Sequence, residues 1–325
     1  VTVLDQLTAA SPAARIGLGL AAVGRPGYFD LRRDSDLPDR SVAALRTRTH
    51  ELLDEAYACG VRYLDVARSY GRAEEFLAEW LTAQDSARSV VVGSKWGYTY
   101  VADWRARTDV HEVKDHGVAA FDRQFAETRA LLGTHLNVYQ VHSVTPESTV
   151  LTDTTLHRRL SALAAQGITV GLSTSGPGQS EAIRAALETT VNGAPLFRSV
   201  QATWNPLEPS AAAALAEARA AGCTVIVKEA LANGRLAGRQ PGEAPAVLAE
   251  VADELATTGD AVALAAALHQ PWATIVLSGA TTVAQLRSNL KAATLTLNPD
   301  QLDRLGRLAE PAQQYWHHRS SLAWA

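Results

Sequence analysis

Short apolar runs alternate with longer segments of helical period along nearly the whole chain. The run Val61-Arg62-Tyr63-Leu64-Asp65-Val66 predicts a buried strand, with β-forming residues at most positions. Asp65 interrupts it near its end, and Tyr70 follows just before Gly71 and a helix. Ahead of this run, Arg15–Gly24 predicts a first strand, whose Gly17 and Gly19 admit close approach of another backbone or a ligand. Arg25–Arg40 predicts a loop, broken by Pro26, Gly27 and Pro38. A helix then runs from Ser41 to Cys59. It carries Leu45, Thr49, Leu52, Leu53 and Ala56 at helical spacing, with Gly60 as its stop.

The alternation continues. Ala73–Gln84 reads as helix, Ser89–Gly97 as strand, Tyr98–Gly117 as a long loop and Val118–Leu132 as helix. Leu136–His142, Ile168–Ser173, Ser199–Asn205, Cys223–Leu231 and Thr274–Gly279 read as further strands. Helices over Asp153–Gln166, Gly178–Thr190 and Ser210–Ala221, another from about Ala244, and one over Val283–Ala293 alternate with them. The strands are short and apolar on both faces, as a parallel sheet covered on both sides requires. Eight strand–helix units in this length predict an α/β chain folded as a (β/α)8 TIM barrel, one domain over residues 1–325 with long loops at the C-terminal mouth. A doubly wound sheet is the alternative, but its G-x-G-x-x-G fingerprint is missing.

Composition narrows the function. Thirty basic residues against thirty-four acidic ones give a net charge of −4, with no basic field for nucleic acid. Cys59 and Cys223 read as small buried hydrophobes. The stretch Val1–Arg15 lacks the features of a signal peptide, and no apolar run approaches roughly 18 residues, so the expectation is a cytoplasmic chain without a membrane span. The expected partner is a small molecule, no metal is expected, and the oligomeric state is left open.

In such a barrel, working residues sit at the C-terminal ends of strands. Asp65, Lys95 and His142 end the second, third and fourth strands, and Tyr70 stands in the loop beyond the second. Tyr is a weak acid with a reference pKa of ~10, and a neighbouring ammonium lowers that value by favouring phenolate. Lys95 can supply the charge, Asp65 can hold Lys95, and His142 can hydrogen-bond a carbonyl oxygen. A carbonyl polarised in this way lacks only a hydride.

These four residues, in this order, resemble the tetrad of the aldo-keto reductases. Leu64-Asp65-Val66-Ala67-Arg68-Ser69-Tyr70-Gly71 resembles the family's D-T-A-x-x-Y-G segment, and Gly171-Leu172-Ser173 its G-x-S-N. Leu231–Leu236 resembles L-x-x-G-x-L, and Gly279 through Asn289 the cofactor segment after strand eight. The resemblance implies an NADP(H)-dependent oxidoreductase, with NAD(H) possible, acting between nicotinamide and an aldehyde, ketone, alcohol or sugar. Tyr70 would then be the general acid/base, tuned by Lys95 and Asp65, and His142 would orient the carbonyl. Ser173, with Thr174 beside it, and Gln201 would hold the nicotinamide carboxamide. Leu231 and Gly234 would pass close to the pyrophosphate, and Gln285 and Asn289 would face the adenosine.

The chain departs from the pattern at several positions. Thr174 replaces an Asn, and Lys228 stands where an aromatic stacks on nicotinamide, with Trp204 as its substitute. Thr281 replaces an Arg for the 2′-phosphate, and Ser288 a Glu near adenine. The expectation is a reduced preference for NADP(H), with a free helix N-terminus after Gly279 as phosphate site and Arg287 as helper. Trp96, Trp104 and Trp316, with Tyr28, Phe29, Tyr98, Tyr100, Tyr315 and Trp324, are expected to wall the substrate pocket. Two other functions fit the same residues. One is a Schiff-base lyase using Lys95 or Lys228. The other is a cofactor-binding regulatory subunit with little turnover, similar to potassium-channel β subunits.

Overall fold

The computed structural model describes residues 11–29, 31, 33–83, 89–238 and 244–324. The stretch before Ser11, the helix end at Gln84 and the loop at Gly242 lie outside them. Eight parallel strands close into a barrel in chain order. They are β1 (Ile16–Gly19), β2 (Tyr63–Asp65), β3 (Val91–Trp96), β4 (Leu136–Val144), β5 (Thr169–Thr174), β6 (Ser199–Thr203), β7 (Thr224–Lys228) and β8 (Ile275–Ser278). The first helices are α1 (Val42–Ala58), α2 (Ala73–Ala83), α3 (Val118–Leu132), α4 (Thr154–Ala164), α5 (Gln179–Glu188) and α6 (Ala212–Ala220). After β7 come α7 (Ala246–Glu254) and α8 (Gly259–Leu268); after β8 come α9 (Val283–Leu290), α10 (Pro299–Gly306) and α11 (Ala312–Ser320). No helix among the described residues is long and apolar enough to cross a membrane.

Period-two alternation decides which residues enter the barrel. Tyr63, Val91, Val138, Ile226 and Ile275 meet in its interior. Gly93 makes room for Tyr63, since a Cβ there would lie 2.2 Å from the Tyr63 hydroxyl. Leu64, Val92, Tyr139, Val141 and Leu172 point the other way, onto the helices, as do Val200, Ala202, Val225, Val227 and Val276. Asp65, Lys95, His142 and Lys228 stand two or four positions beyond the interior residues of their own strands. They therefore continue up the inside of the barrel toward its mouth.

Several elements differ from the sequence expectation. The first strand stops at Gly19, and the chain turns away, with the Gly24 N–H donating to the Leu20 carbonyl at 2.9 Å. The loop before α1 contains one helical turn, Arg33–Asp36. The loop after β3 contains a hairpin pairing Tyr98–Tyr100 with Glu112–Lys114. Helix α8 has no readable face because every residue from Asp260 to Leu268 is buried. Helix α10 opens with a capping box of Asn298 and Gln301 and Pro299 in its first turn, a signal present in the sequence.

Candidate active site

Lys95 is wholly buried under the barrel mouth. Its ammonium donates to Asp65 Oδ1 in a short ion pair, to the Val66 carbonyl at 3.0 Å and to the Tyr70 hydroxyl oxygen at 3.4 Å. These three bonds use all three of its protons. Asp65 Oδ2 accepts from Gln201 Nε2 at 2.8 Å and from the Tyr63 hydroxyl at 3.4 Å. Both oxygens of a nearly inaccessible carboxylate are thus satisfied, which offsets the cost of burying it.

The loop that carries Tyr70 is held by backbone contact. Arg72 N–H donates to the Gly24 carbonyl at 2.8 Å. Gly71 has φ +60°, and a Cβ on it would lie 2.5 Å from that carbonyl oxygen; a Cβ on Gly24 would lie 2.4 Å from the Tyr70 carbonyl oxygen. Arg25 packs its guanidinium 5.3 Å from the Tyr70 ring centre. It donates to the Ser69 carbonyl and to Glu112, each at 2.8 Å. The His142 ring stands edge-on to Tyr70 at 5.6 Å, with Nδ1 3.5 Å from Ser69 Oγ.

Burial dominates the electrostatics. It raises the Tyr70 phenol well above its ordinary value, and Asp65 adds to the rise while Arg25 opposes it. The net shift is upward, against the lowering expected from Lys95, because desolvation of the phenolate is the largest cause. Burial also lowers His142 well below its ordinary value, helped by Lys95, Lys228 and Arg25, so the ring is neutral. At the mouth, burial lowers Lys228 to about 8. Burial would raise Glu229, but Arg319 and Lys228 outweigh it and bring the carboxyl to about 2. Arg319 Nε lies 2.9 and 3.0 Å from the two Glu229 oxygens.

A cavity of about 670 Å³ opens above the tetrad. Asp65, Tyr70, His142, Gln201 and Lys228 line one end, with Lys95 directly beneath. Leu231, Gly234, Gly279, Gln285 and Asn289 also line it, as expected from the sequence. Gln201 is already engaged, however: its amide nitrogen serves Asp65 and Gln140.

Other expected residues do not reach the cavity. Trp96 and Trp204 belong to the outward set of their chain segments. Trp96 packs 5.1 Å from Phe121, and Trp204 5.8 Å from Trp272. Thr174, on the outward face of β5, bonds to Gln179 at 3.4 Å. Ser173 points inward, but its Oγ accepts the Ser143 N–H at 2.9 Å beneath the surface. Trp104 is tied to the Arg40 carbonyl at 3.0 Å and rests on Phe76. Trp316 packs under Arg319 and reaches Glu208. Of the expected aromatic wall, Tyr28, Phe29, Tyr98 and Trp324 line the cavity.

The helix end after Gly279 also differs from expectation. Gln285 N–H is capped by Thr282 Oγ1 at 3.2 Å, and Thr281 N–H donates to Gln285 Oε1 at 2.9 Å. Thr281 Oγ1 is turned toward Gln285 Oε1 and Asp36 Oδ2, at 3.0 and 3.3 Å. Arg287 faces outward and pairs with both Glu55 oxygens, at 2.7 and 3.0 Å.

Sequence reasoning missed Arg25, Ser143, Ser175, Asp36, Asp260 and Arg319 on the cavity wall. Ser143 carried the one available signal, its place directly after His142. Ser143 and the lining residue Glu229 both take φ +55° at the ends of their strands, a conformation nothing in their residue types announces.

The wider comparisons agree with this architecture. The chain is 22% identical to the aldo-keto reductase str7 of Strobilurus tenacellus, over 91% of this chain and 88% of that protein. Among solved structures it is similar to the aldo-keto reductase AKR11C1 of Bacillus halodurans in its holo form, with TM-score 0.68 and 19% identity, covering 93% of this chain and 95% of that one. It is also similar to the putative aldo-keto reductase PA4992 of Pseudomonas aeruginosa, with TM-score 0.61 and 23% identity, covering 86% and 89%. These structural likenesses bear on the fold. The model of the Aldo/keto reductase family matches residues 15–310, and the chain belongs to that family.

Proposed function

We propose that this chain is a nicotinamide-dependent oxidoreductase for small carbonyl compounds, with Tyr70 as proton donor and acceptor. The observation that carries the reading is the Lys95 ammonium donating to the Tyr70 oxygen while Tyr70 lines the cavity. That contact occupies a lone pair and leaves the phenolic proton free to face a ligand. A phenol kept neutral by burial is in the donor form at neutral pH. As the proton leaves, the Lys95 contact strengthens, because a phenolate accepts it better than a phenol does. When Ser69 Oγ–H donates to Nδ1, neutral His142 carries its proton on Nε2 and can hydrogen-bond the same carbonyl oxygen.

The cavity fits an extended dinucleotide. Gly19, Gly234 and Gly279 line it between the tetrad and Asn289, and a Cβ on Gly279 would meet nothing within 4 Å. Bound there, a reduced nicotinamide supplies hydride to the carbonyl carbon. The residues of this chain place the carbonyl oxygen between Tyr70 and His142 and protonate it. Tyr28, Phe29, Tyr98 and Trp324 suit a flat, partly apolar carbonyl compound or a sugar face. Cofactor oxidation with a panel of aldehydes, ketones and sugars tests this reading; a folded, cofactor-binding chain without turnover on any of them removes it.

A second reading rests on Lys228, whose amine is brought to about 8 and lines the same cavity. Such an amine can condense with a carbonyl. Borohydride trapping of an aldehyde on Lys228 would favour it, and turnover without trapping would not.

A further inference from the structure

The far end of the cavity has a charge pattern that the reaction does not require. Asp36, at the end of the helical turn before α1, reaches over the start of α9. Its Oδ2 accepts from Gln285 Nε2 at 2.8 Å and lies 3.3 Å from Thr281 Oγ1. Asp260, in the first turn of α8, accepts from Ser288 Oγ at 3.0 Å and Asn289 Nδ2 at 2.7 Å. Both carboxylates line the cavity together with Thr258, Gln285, Ser288 and Asn289. The cationic side chains among the described lining residues, Arg25, Lys228 and Arg319, stand with the aromatic residues and Glu229 at the catalytic end. Arg287, on α9 itself, is held outward by Glu55.

We infer that Asp36 and Asp260 are specificity-determining residues that fit this end to an unphosphorylated adenosine ribose, so that the chain takes NAD(H) in preference to NADP(H). The inference rests on the dinucleotide reading of the cavity proposed above and deepens it. A ribose diol donates hydrogen bonds, and a carboxylate accepts them. A 2′-phosphate brings close to two negative charges and needs donors or cations. Here it meets two carboxylates, and two backbone N–H groups at the start of α9 are already spent on Thr282 Oγ1 and Gln285 Oε1. The Gln285 amide nitrogen is turned to Asp36 as well. On this inference the NADP(H) preference expected from family likeness is reversed.

The test is binding, read by calorimetry on the whole chain without substrate. The ligands are NADH, NADPH, AMP and adenosine 2′,5′-bisphosphate. NADH and AMP should bind about tenfold or more tightly than their 2′-phosphorylated counterparts, since like charges brought together cost affinity. Asp36→Asn and Asp260→Asn should each narrow that ratio, and Asp36→Arg should invert it. The parent ratio is the first readout, so the test does not depend on any variant folding. Equal binding, or tighter binding of NADPH and the bisphosphate, overturns the inference while leaving the oxidoreductase reading intact. A ratio unmoved in both Asn variants removes these two residues as its cause. Failure of all four ligands to bind overturns the dinucleotide reading and this inference with it.

Discussion

The Lys95 ammonium lies 3.4 Å from the Tyr70 phenolic oxygen, and its other two protons are held by Asp65 and the Val66 carbonyl. Lys95 is thus a fixed charge with a single direction left in which to act. Tyr70→Phe keeps the ring against Arg25 and His142 and removes only the hydroxyl. A loss of roughly 10²-fold or more in kcat is expected, the usual size for a positioned acid. Affinity for the dinucleotide should barely change. Steady-state kinetics beside a binding isotherm separate the two, and parent-rate turnover by the Phe variant would sink the role assigned to Tyr70.

The pH dependence follows from burial. Tyr70 titrates well above its ordinary value and His142 well below its own. Carbonyl reduction should therefore run flat through the neutral range, with no break near the ordinary His value of about 6.5, and fall only on the alkaline side of ~10. Alcohol oxidation should keep rising up to that pH. A pH–rate series in both directions checks this, and a bell centred near neutrality would contradict it.

Replacing Lys95 has two consequences that can be told apart. Lys95→Met removes the charge beside Tyr70, so the alkaline limb should move to still higher pH. It also strands the buried Asp65 carboxylate, at about 3–5 kcal/mol of stability. The double variant Asp65→Asn/Lys95→Met should recover much of that stability without recovering rate. Denaturant melts beside kinetics decide; parallel recovery of both would mean that Lys95 acts only on folding.

The pair Glu229–Arg319 should appear in acid stability. Glu229 titrates near 2 in the folded chain against an ordinary 4.5, so its stabilisation is complete above 4.5 and is lost as pH falls toward 2. By linkage the whole effect is about 3 kcal/mol. Arg319→Ala should destabilise the chain at pH 7 and flatten this acid slope. Melts between pH 2 and about 7 measure both, and an unchanged slope would show that Arg319 does not hold the carboxylate.

Trp324 lines the cavity from the C-terminal tail, stacked 4.1 Å from His111 and edge-on to Phe29 at 5.0 Å. Trp324→Ala should shift the ratio of kcat/KM between bulky and small carbonyl substrates while leaving dinucleotide affinity unchanged. Trp104→Ala should leave that ratio alone, because Trp104 packs on Phe76 behind the wall. Equal effects from the two variants would refute the assignment of Trp324.

The sequence by itself determined the barrel and the inward tetrad. A buried parallel strand needs apolar residues on both faces, so Asp65, Lys95 and His142 stood out against their runs, and strand order placed them side by side. The same two-residue alternation already separated Trp96 from Lys95 and Trp204 from Thr203: neighbours in a strand face opposite sides. Tertiary structure alone decided what closes over those strands. Asp36 meets Gln285 across 249 positions, Arg319 meets Glu229 across 90, and Trp324 reaches His111 from the far end of the chain. Such contacts join segments far apart in the chain, and the period of one segment does not report which other segment it meets. Whether a carboxylate or a cation faces the far end of the cavity depends on how those segments pack, because charge in a cavity is set by neighbours in space.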